Sequence, residues 1–374
     1  MQHGIYQIHL KNALKPFLTA TNQSSHFYVK KKFQKNNWSL KFDVINMSID
    51  SEDLEIEEEI ADFRLVADTW KRIKTELSRA VIGMDDVIEK MFIATLSNGH
   101  ILLEGPPGIA KTFAAQNYAK ALGAEFKRIQ MTPDLLPSDI VGTVIYDQKT
   151  SSFRFKPGPI FTNILLVDEI NRAPPKTQSA LLEAMEEKQV TVEGQTYKLP
   201  APFLVIATQN PIEMEGTYPL PEAQLSRFML FLKLDYPDPE SELEILQLKN
   251  KKMERVIVET ITSTKTILLM QKIVKESINV DEKILEYIRD IVIACRKDPR
   301  VLMGCSPRAS IALLMASKSY AAMSGREYVI PDDVKHVALA ALRHRVILKP
   351  EIELSGVSPD DIVKNILENI PVPR

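Results

Sequence analysis

Cysteine and histidine are scarce in this sequence, and this excludes several kinds of site. Two cysteines, Cys295 and Cys305, and six histidines are spread over 374 residues. Two cysteines do not form a disulfide framework, and their spacing matches no zinc-binding pattern. We therefore predict neither a structural metal nor disulfide bonds, as is typical of a protein of the reducing cytosol.

Long apolar runs are also missing. A membrane-spanning helix needs about 18 consecutive apolar residues, whereas runs such as 163–167 meet charged residues at once. The N-terminus has no apolar core of the kind found in signal peptides. The sequence therefore predicts a cytoplasmic protein that is not inserted in a membrane.

An excess of one charge is missing as well. Lys and Arg number 47 and Asp and Glu number 49, which leaves a net charge of -2. No overall field attracts the chain to nucleic acid or to anionic lipid, so nucleic acid is not an expected partner. With 45% apolar and 26% charged residues, the composition is that of a soluble protein long enough for two domains.

The first 59 residues differ from the rest in charge pattern. Residues 1–41 carry seven lysines and no acid, whereas residues 43–59 carry eight acids and no base. Because no periodic apolar face accompanies these charges, we predict a flexible N-terminal extension over residues 1–59. Two alternatives stay open. In the first, the lysines at 30–32 and the aromatic residues nearby would bind nucleic acid. In the second, the natural protein would start at Met47.

Strand and helix signals alternate from about residue 60 to residue 236. Five short apolar runs are separated by segments with helical periodicity, and they lie at 100–104, 126–130, 164–168, 203–207 and 228–232. Continuous rather than alternating apolar residues indicate strands that are covered on both faces. We therefore predict an α/β fold with a five-stranded, mostly parallel sheet.

Two prolines within 235–239 mark the predicted domain boundary. Beyond them the periodicity is helical, with almost no strand signal. The predicted helices cover 240–253, 264–275, 281–297, 307–324 and 331–343. The chain is thus predicted to form an α/β domain over 60–236 and an all-helical domain over 237–374.

A phosphate-binding loop is the strongest motif of the sequence. Residues 105–112 read Gly-Pro-Pro-Gly-Ile-Ala-Lys-Thr and lie between a predicted strand and a predicted helix. In such loops backbone N–H groups hold phosphate oxygens, the lysine contacts the β- and γ-phosphates, and the threonine hydroxyl ligates Mg²⁺. Lys111 and Thr112 take these roles here. Ala110 replaces the usual glycine, which we expect to be tolerated if its backbone is right-handed helical.

Two carboxylates and an amide come at the ends of later predicted strands. Asp168 and Glu169 end the third strand, and Asn210 follows the fourth. The carboxyl ends of parallel strands meet at one edge of the sheet, where ligands bind in α/β folds. We expect Asp168 to hold Mg²⁺ and Glu169 to orient and polarise the attacking water. Asn210 would hydrogen-bond the γ-phosphate or that water, the alternative being a simple Asn-Pro turn.

This order of motifs resembles the AAA+ ATPases, and longer strings resemble their MoxR family. The similar strings lie at 153–161, 168–176, 181–187 and 215–225. The resemblance covers the chain from about residue 60 to the C-terminus. It implies a phosphate-loop core with five strands, an insert in the second helix near 139–161, a β-hairpin at 191–197, and a helical lid. Both loops would face the pore of a ring.

The resemblance also implies roles for residues outside the phosphate loop. Arg227 matches the family's arginine finger, which would reach the γ-phosphate of a neighbouring subunit, and Arg308 matches the second sensor on the lid. The family usually has Asp before the finger, where this chain has Ser226. Ile82 and Gly83 resemble the turn that contacts adenine.

The residues expected to bind the nucleotide are therefore Ile82, Gly83, Gly105, Pro106, Pro107, Gly108, Ile109, Ala110, Lys111, Thr112 and Phe113. Arg172, beside the acidic pair, receives no assigned role.

The function implied by the resemblance is that of a homo-hexameric ring that hydrolyses ATP with Mg²⁺ to remodel protein clients. Its implied partners carry a von Willebrand factor A domain, often in metalloenzyme maturation. Two other functions stay open. One is a DNA-remodelling motor, since helicases share the core and the insert. The other is a regulatory scaffold with little turnover, which intact Lys111, Asp168, Glu169 and Asn210 disfavour.

Overall fold

The computed structural model describes residues 63–149, 151–210, 217–250 and 257–373. The expected extension over 1–59 and the alternative start at Met47 lie outside these residues. The described residues belong to one compact unit. None of their helices is both long and apolar enough to cross a bilayer.

The helices of the described chain, in order, are α1 (Arg64–Ser78), α2 (Asp85–Leu96), α3 (Lys111–Ala121), α4 (Pro137–Val141), α5 (Pro175–Glu187), α6 (Glu222–Leu225), α7 (Pro239–Asn250), α8 (Thr264–Glu276), α9 (Glu282–Lys297), α10 (Pro307–Met323), α11 (Pro331–Leu342), α12 (Pro350–Leu354) and α13 (Pro359–Asn369). The strands are β1 (Ile101–Glu104), β2 (Phe126–Gln130), β3 (Gly142–Asp147), β4 (Ser152–Pro157), β5 (Ile164–Asp168), β6 (Gln189–Val192), β7 (Gln195–Lys198), β8 (Leu204–Gln209), β9 (Leu230–Lys233), β10 (Val301–Met303) and β11 (Ile347–Leu348).

A five-stranded parallel sheet forms the centre, in the order β2-β5-β8-β1-β9. All four neighbouring pairs are parallel. The inner strand β5 is buried along its whole length, because helices cover both faces of the sheet. The edge strand β2 is buried only at Ile129. The predicted five-stranded parallel sheet is confirmed, with strand bounds within about two residues of those expected.

The two helices before the sheet join it to the helical half. Val66, Ile73 and Leu77 form the buried stripe of α1. Trp70 of the same helix stacks on Phe92 of α2, with ring centroids 5.3 Å apart. Both helices contact α10, and one apolar core includes side chains of the sheet and of the C-terminal helices. The sheet and the C-terminal helices therefore share a core, which limits how independently they move.

Two antiparallel hairpins project from the sheet domain. The segment expected as an insert near 139–161 contains α4 and the hairpin β3-β4. The hairpin expected at 191–197 is β6-β7. Phe155 and Tyr197 stack between the two hairpins with centroids 4.1 Å apart. On the outer part of the first hairpin, Tyr146 and Phe153 are exposed and meet edge to face.

The C-terminal half is helical, as expected, with two additions. The helices α7 to α11 match the five expected segments closely, although 251–256 lie outside the described residues. The structure adds α12 and α13 and a short antiparallel ladder between β10 and β11. Strands of two or three residues show no periodicity in sequence. The sequence contains a start signal for helix α13, because Ser358 caps the helix and its hydroxyl oxygen accepts a hydrogen bond from the Asp361 N–H.

His100 ties three elements together just before β1. The N–H of Val205 donates to Nδ1 at 3.0 Å, so the ring proton is on Nε2, which donates to the Met185 carbonyl oxygen at 3.0 Å. The side chain is buried, and this burial lowers the pKa of His100 to about 4. The neutral ring is therefore part of the folded state.

We expect this histidine to make stability depend on pH. In the unfolded chain its pKa returns to about 6.5, so between pH 6.5 and pH 4 the unfolded state binds a proton that the folded state does not bind. The contribution of the neutral ring to the free energy of unfolding is therefore complete above pH 6.5 and is lost as pH falls towards 4. Between pH 7 and pH 5 the loss is about 2 kcal/mol. Urea unfolding at both pH values checks this against His100→Gln, which keeps a donor but cannot titrate. Equal pH dependence in both proteins would contradict the prediction.

Candidate functional site

The phosphate-binding loop joins β1 to α3 at the carboxyl edge of the sheet. Its first residue, Gly105, packs against the end of β9, and a Cβ atom there would lie 2.6 Å from the carbonyl oxygen of Leu234. Gly108 has a φ of +84°, while the space around it is open. Gly105 is thus required for close packing, and Gly108 for its backbone conformation.

Ala110 corrects one expectation from the sequence. Its φ of 62° and ψ of 23° lie in the left-handed region, not in the right-handed region that we expected. A left-handed residue beside right-handed ones turns successive N–H groups to one side, which creates an anion-binding concavity. The loop therefore uses a backbone conformation that favours glycine, and alanine here costs about 1 kcal/mol.

Lys111 bends back over the loop. Its Nζ donates to the Gly105 carbonyl oxygen at 2.7 Å. Partial burial lowers the pKa of the Lys111 ammonium, while the charges of Asp168, Glu169 and Glu104 act in the opposite direction. The lysine and these carboxylates therefore belong to one electrostatic environment.

The two predicted magnesium ligands lie side by side. Thr112 Oγ1 is 3.5 Å from Asp168 Oδ2. Asp168 is buried at the end of β5. Its Oδ1 accepts a hydrogen bond from Thr208 Oγ1 at 3.2 Å, and its Oδ2 accepts one from Arg128 Nε at 2.6 Å. Neighbouring strands on both sides thus fix the orientation of the carboxylate.

Glu169 follows Asp168 in a left-handed conformation with a φ of 56°. Its N–H donates to Thr208 Oγ1 at 3.0 Å. Its Oε2 accepts a hydrogen bond from Gln130 Nε2 at 2.9 Å and lies 2.7 Å from Arg172 Nε. Backbone strain of this kind concentrates at functional sites. The backbone of Glu169 is thus held from β8, and its side chain from β2 and from the turn that follows.

Arg128 and Gln130 were not predicted as site residues, although each contacts one of the two acids. They are two residues apart on β2 and flank the buried Ile129. In the register of the sheet, Gln130 lies opposite Asp168. The polar residues at alternate positions were a signal, but the pairing of β2 with β5 is set by the tertiary structure. Sequence reasoning therefore had no means of connecting them to the acids.

One cavity of about 350 Å³ gathers most of the predicted catalytic and magnesium-binding residues. It is lined by Lys111, Thr112, Asp168, Glu169 and the buried Asn210. Of the expected nucleotide-binding residues, those that also line it are Gly105, Pro107, Gly108, Ala110 and Phe113. Pro106 and Ile109 are buried within the loop. A hydroxyl, two carboxylates, an ammonium and backbone N–H groups are therefore available to one ligand.

The turn with Ile82 and Gly83 is not among the described residues that line this cavity. Ile82 is half-buried, and Gly83 has a φ of +72°. A Cβ atom at Gly83 would lie 3.2 Å from Ser241 near the start of α7. The turn thus meets the beginning of the helical half, and its contact with adenine stays a prediction.

Arg227 and Arg308 lie together, and both contact Glu186. Arg227 Nε is 3.2 Å from Glu186 Oε2, and Arg308 Nη2 pairs with Glu186 Oε1. These three residues line a second cavity, of about 220 Å³, that shares no described lining residue with the phosphate-loop cavity. The structure therefore groups the two arginines at a separate site from Lys111 and Glu169 of the same chain.

Position 226 is serine here instead of the usual aspartate, and other contacts hold the segment around Arg227. Ser226 donates its hydroxyl to the Ala223 carbonyl oxygen at 2.8 Å. The carbonyl oxygen of Phe228 accepts a hydrogen bond from Arg345 Nη2 at 2.7 Å and lies 3.0 Å from His344 Nε2. The helical half thus supports the backbone next to Arg227.

Comparisons with known proteins identify the same regions. Residues 100–230 match the ATPase family associated with various cellular activities (AAA), and residues 293–366 match the AAA lid domain. These ranges contain the phosphate loop, both acids and both arginines.

Similar proteins match most of the chain. It is 48% identical to the uncharacterized protein YeaC of Bacillus subtilis, over 79% of this chain and 92% of that protein. It is 43% identical to the chaperone MoxR1 of Mycobacterium tuberculosis, over 82% of this chain and 83% of that protein. A crystal structure of a "putative ATPase" from Cytophaga hutchinsonii superposes with a TM-score of 0.78 at 42% identity, covering 83% of this chain and 97% of that one.

We expect Ala110→Gly to raise the free energy of unfolding by about 1 kcal/mol, because glycine adopts the left-handed conformation without steric cost. Urea unfolding in the absence of nucleotide measures the change. The matched control is Ala115→Gly inside α3, which should lower stability by about 1 kcal/mol or more. A loss of stability in Ala110→Gly would contradict the assignment of strain to this residue.

Proposed function

Because the chain belongs to the MoxR family of AAA+ ATPases, we propose that it hydrolyses Mg-ATP in an oligomeric ring and remodels or activates protein clients in a chaperone-like manner. The observation that carries this proposal is the division of the catalytic residues between two cavities. The phosphate loop and the acids line one cavity, and Arg227 and Arg308 line the other. Two such half-sites would form one complete site between two copies of the chain, and this supports the proposed ring.

The proposed domains are an ATPase core over 60–236, with the insert near 139–161, and a helical lid over 237–374. The central sheet lies entirely before residue 236, and the match to the lid domain lies after it, which supports this division. In a ring, the two hairpins would face the pore. The exposed Tyr146 and Phe153 would then be available to a client.

The residues present fit a magnesium nucleotide. Mg²⁺ prefers oxygen ligands, and Thr112 Oγ1 and Asp168 Oδ2 lie 3.5 Å apart within the cavity. These two residues would hold the ion, which would neutralise negative charge on the phosphates. Lys111 would leave the Gly105 carbonyl oxygen to contact the β- and γ-phosphates, while the loop N–H groups hold the remaining oxygens. The turn at Ile82 and Gly83 would contact the adenine.

Glu169 is the residue we assign to the attacking water. Among the described residues, the side chain contacts Gln130 and Arg172, both through Oε2, so we assign Oε1 to orient and polarise the water. Asn210 lines the same cavity and would hydrogen-bond the water or the γ-phosphate. Together these residues would hold a base beside a bound phosphate, which supports hydrolysis as the proposed activity.

Arg227 and Arg308 would act on the nucleotide of a neighbouring subunit. Each arginine has five N–H donors in a planar fork that matches phosphate oxygens. Two such groups supplied in trans would stabilise the charge that develops on the γ-phosphate. The arrangement favours a closed homo-oligomer, and we propose a hexameric ring in the cytoplasm. The proposed client contains a von Willebrand factor A domain, in metalloenzyme maturation.

We expect Glu169→Gln to lower kcat for ATP at least about a hundredfold while leaving ATP binding close to that of the wild type, since only the base is lost. Phosphate release and equilibrium nucleotide titration measure the two quantities. Glu183→Gln, at an exposed position of α5, is the control and should retain full activity. Unchanged turnover in Glu169→Gln would assign hydrolysis to another site.

The same variant tests the client. Blocked hydrolysis prolongs the nucleotide-bound state, so Glu169→Gln with Mg-ATP should retain a protein with a von Willebrand factor A domain from an extract of the native host. Recovery of nuclease-sensitive nucleic acid in its place would contradict the protein-client proposal and favour a DNA motor.

A mixing experiment tests the shared site. Arg227→Ala should lower kcat about a thousandfold, and Lys111→Ala should abolish ATP binding. After random mixing of the two variants, about one interface in four has an intact loop on one side and an intact arginine on the other. We expect ATPase activity to reappear in the mixture. Activity that stays at the sum of the two separate proteins would refute a site formed between subunits.

A further inference from the structure

One carboxylate bridges the two arginines that the proposed function assigns to the neighbouring nucleotide. Glu186 is the penultimate residue of α5, Arg227 lies between α6 and β9, and Arg308 is the second residue of α10. Each arginine contacts a different oxygen of the same carboxylate. Three segments that are distant in sequence thus meet at one side chain.

The charges around this carboxylate are not balanced. Among the described residues that line the cavity, Glu186 is the one acid, against three arginines: Arg227, Arg308 and Arg345. The charge of Arg308 acts on Arg345, which is buried and donates to the Phe228 carbonyl oxygen. Like charges repel each other. Glu186 is therefore the counter-charge that offsets this repulsion among the described residues that line the cavity.

The bridge uses few of the donors that the arginines possess. Arg227 contacts the carboxylate through Nε, and Arg308 contacts it through one Nη atom. Each guanidinium has five N–H groups. Both side chains also keep part of their surface exposed, 29% for Arg227 and 50% for Arg308. The contact thus orients both guanidinium groups while N–H groups remain that can be donated to a phosphate.

We propose that Glu186 is a positioning residue that holds Arg227 of the core and Arg308 of the lid as one unit for the nucleotide of a neighbouring subunit. The inference rests on the proposed function. The backbone beside Arg227 is anchored to the turn at Arg343–Arg345 through the Phe228 carbonyl oxygen. Glu186 supplies the second attachment, at the guanidinium end. Arg227 of the core and Arg308 of the lid then keep their relative positions, because displacement of either arginine would break its contact with the shared carboxylate.

Glu186 could act in the opposite way, as a competitor that occupies the arginines until a phosphate displaces it. The two roles differ in sign. A competitor lowers activity when present, so its removal raises kcat. A positioning residue raises activity, so its removal lowers kcat. The partly exposed bridge and the excess of positive charge favour positioning, because the cavity retains a net attraction for phosphate with Glu186 in place.

The test compares steady-state ATPase activity of the full chain in Glu186→Gln, Glu186→Asp and the control Glu187→Gln. We expect Glu186→Gln to lower kcat about tenfold while KM for ATP stays within about twofold, since the phosphate loop is unchanged. Glu186→Asp retains the charge and should recover at least about a third of wild-type kcat. Glu187→Gln should match the wild type. Unchanged or raised kcat in Glu186→Gln would overturn the proposal.

A double-mutant cycle separates positioning from a general structural effect. In an Arg227→Lys background, where the acid has a poorer partner, Glu186→Gln should lower kcat by less than about twofold. In an Arg308→Lys background, Glu186→Gln should likewise lower kcat by less than about twofold. Full tenfold effects in both backgrounds would overturn the proposal. Unfolding midpoint and oligomer size should remain those of the wild type, and a decrease in either that accounts for the lost kcat would overturn it as well.

Failure of this inference is distinguishable from failure of the proposed function. If Arg227→Ala retains wild-type activity, the shared site itself is refuted, and the inference with it. If Arg227→Ala is inactive while Glu186→Gln is fully active, only the role of Glu186 is refuted.

Discussion

The position of β5 between β2 and β8 is the constraint on which the candidate site depends. Because all three strands are parallel, their carboxyl ends reach the same edge of the sheet. Asp168 and Glu169 therefore receive contacts from both sides. A single hydroxyl, that of Thr208, donates to Asp168 and accepts the N–H of Glu169. The strand order that makes the sheet stable thus also fixes the Asp168 carboxylate and the Glu169 backbone beside the phosphate loop.

A different constraint determines where the second group of charged residues lies, which consists of Arg227, Arg308 and Glu186. Arg227 and Arg308 come from the core and the helical half, and they meet because α1, α2 and the C-terminal helices share one apolar core. Charges of one sign in a small cavity require a counter-charge, and Glu186 supplies it. The two groups of residues complement each other chemically, since the first can bind phosphate and activate water and the second can stabilise negative charge. The proposed site between subunits would use both.

Much of the fold was predictable, for identifiable reasons. The five apolar runs indicated buried parallel strands, and the turn chemistry between β1 and α3 indicated the phosphate loop. The left-handed backbone of Ala110 was not predictable, since alanine rarely adopts it and glycine is absent. Helix α13 was missed although its capping residues were present in the sequence. Arg128, Gln130 and Glu186 carry no motif, so their contacts depended on strand order and helix packing.

The sequence by itself determined the elements and their chemistry: a loop able to hold phosphate, acids at a strand end, and two arginines in family-like strings. These properties are local, because they follow from residue type and from spacing along a few turns or one strand. Only the tertiary structure decided which of these residues act together. It placed Thr112 beside Asp168 and joined Arg227 to Arg308 through Glu186. Contacts between residues distant in sequence are set by the packing of the whole core, and no local pattern encodes them.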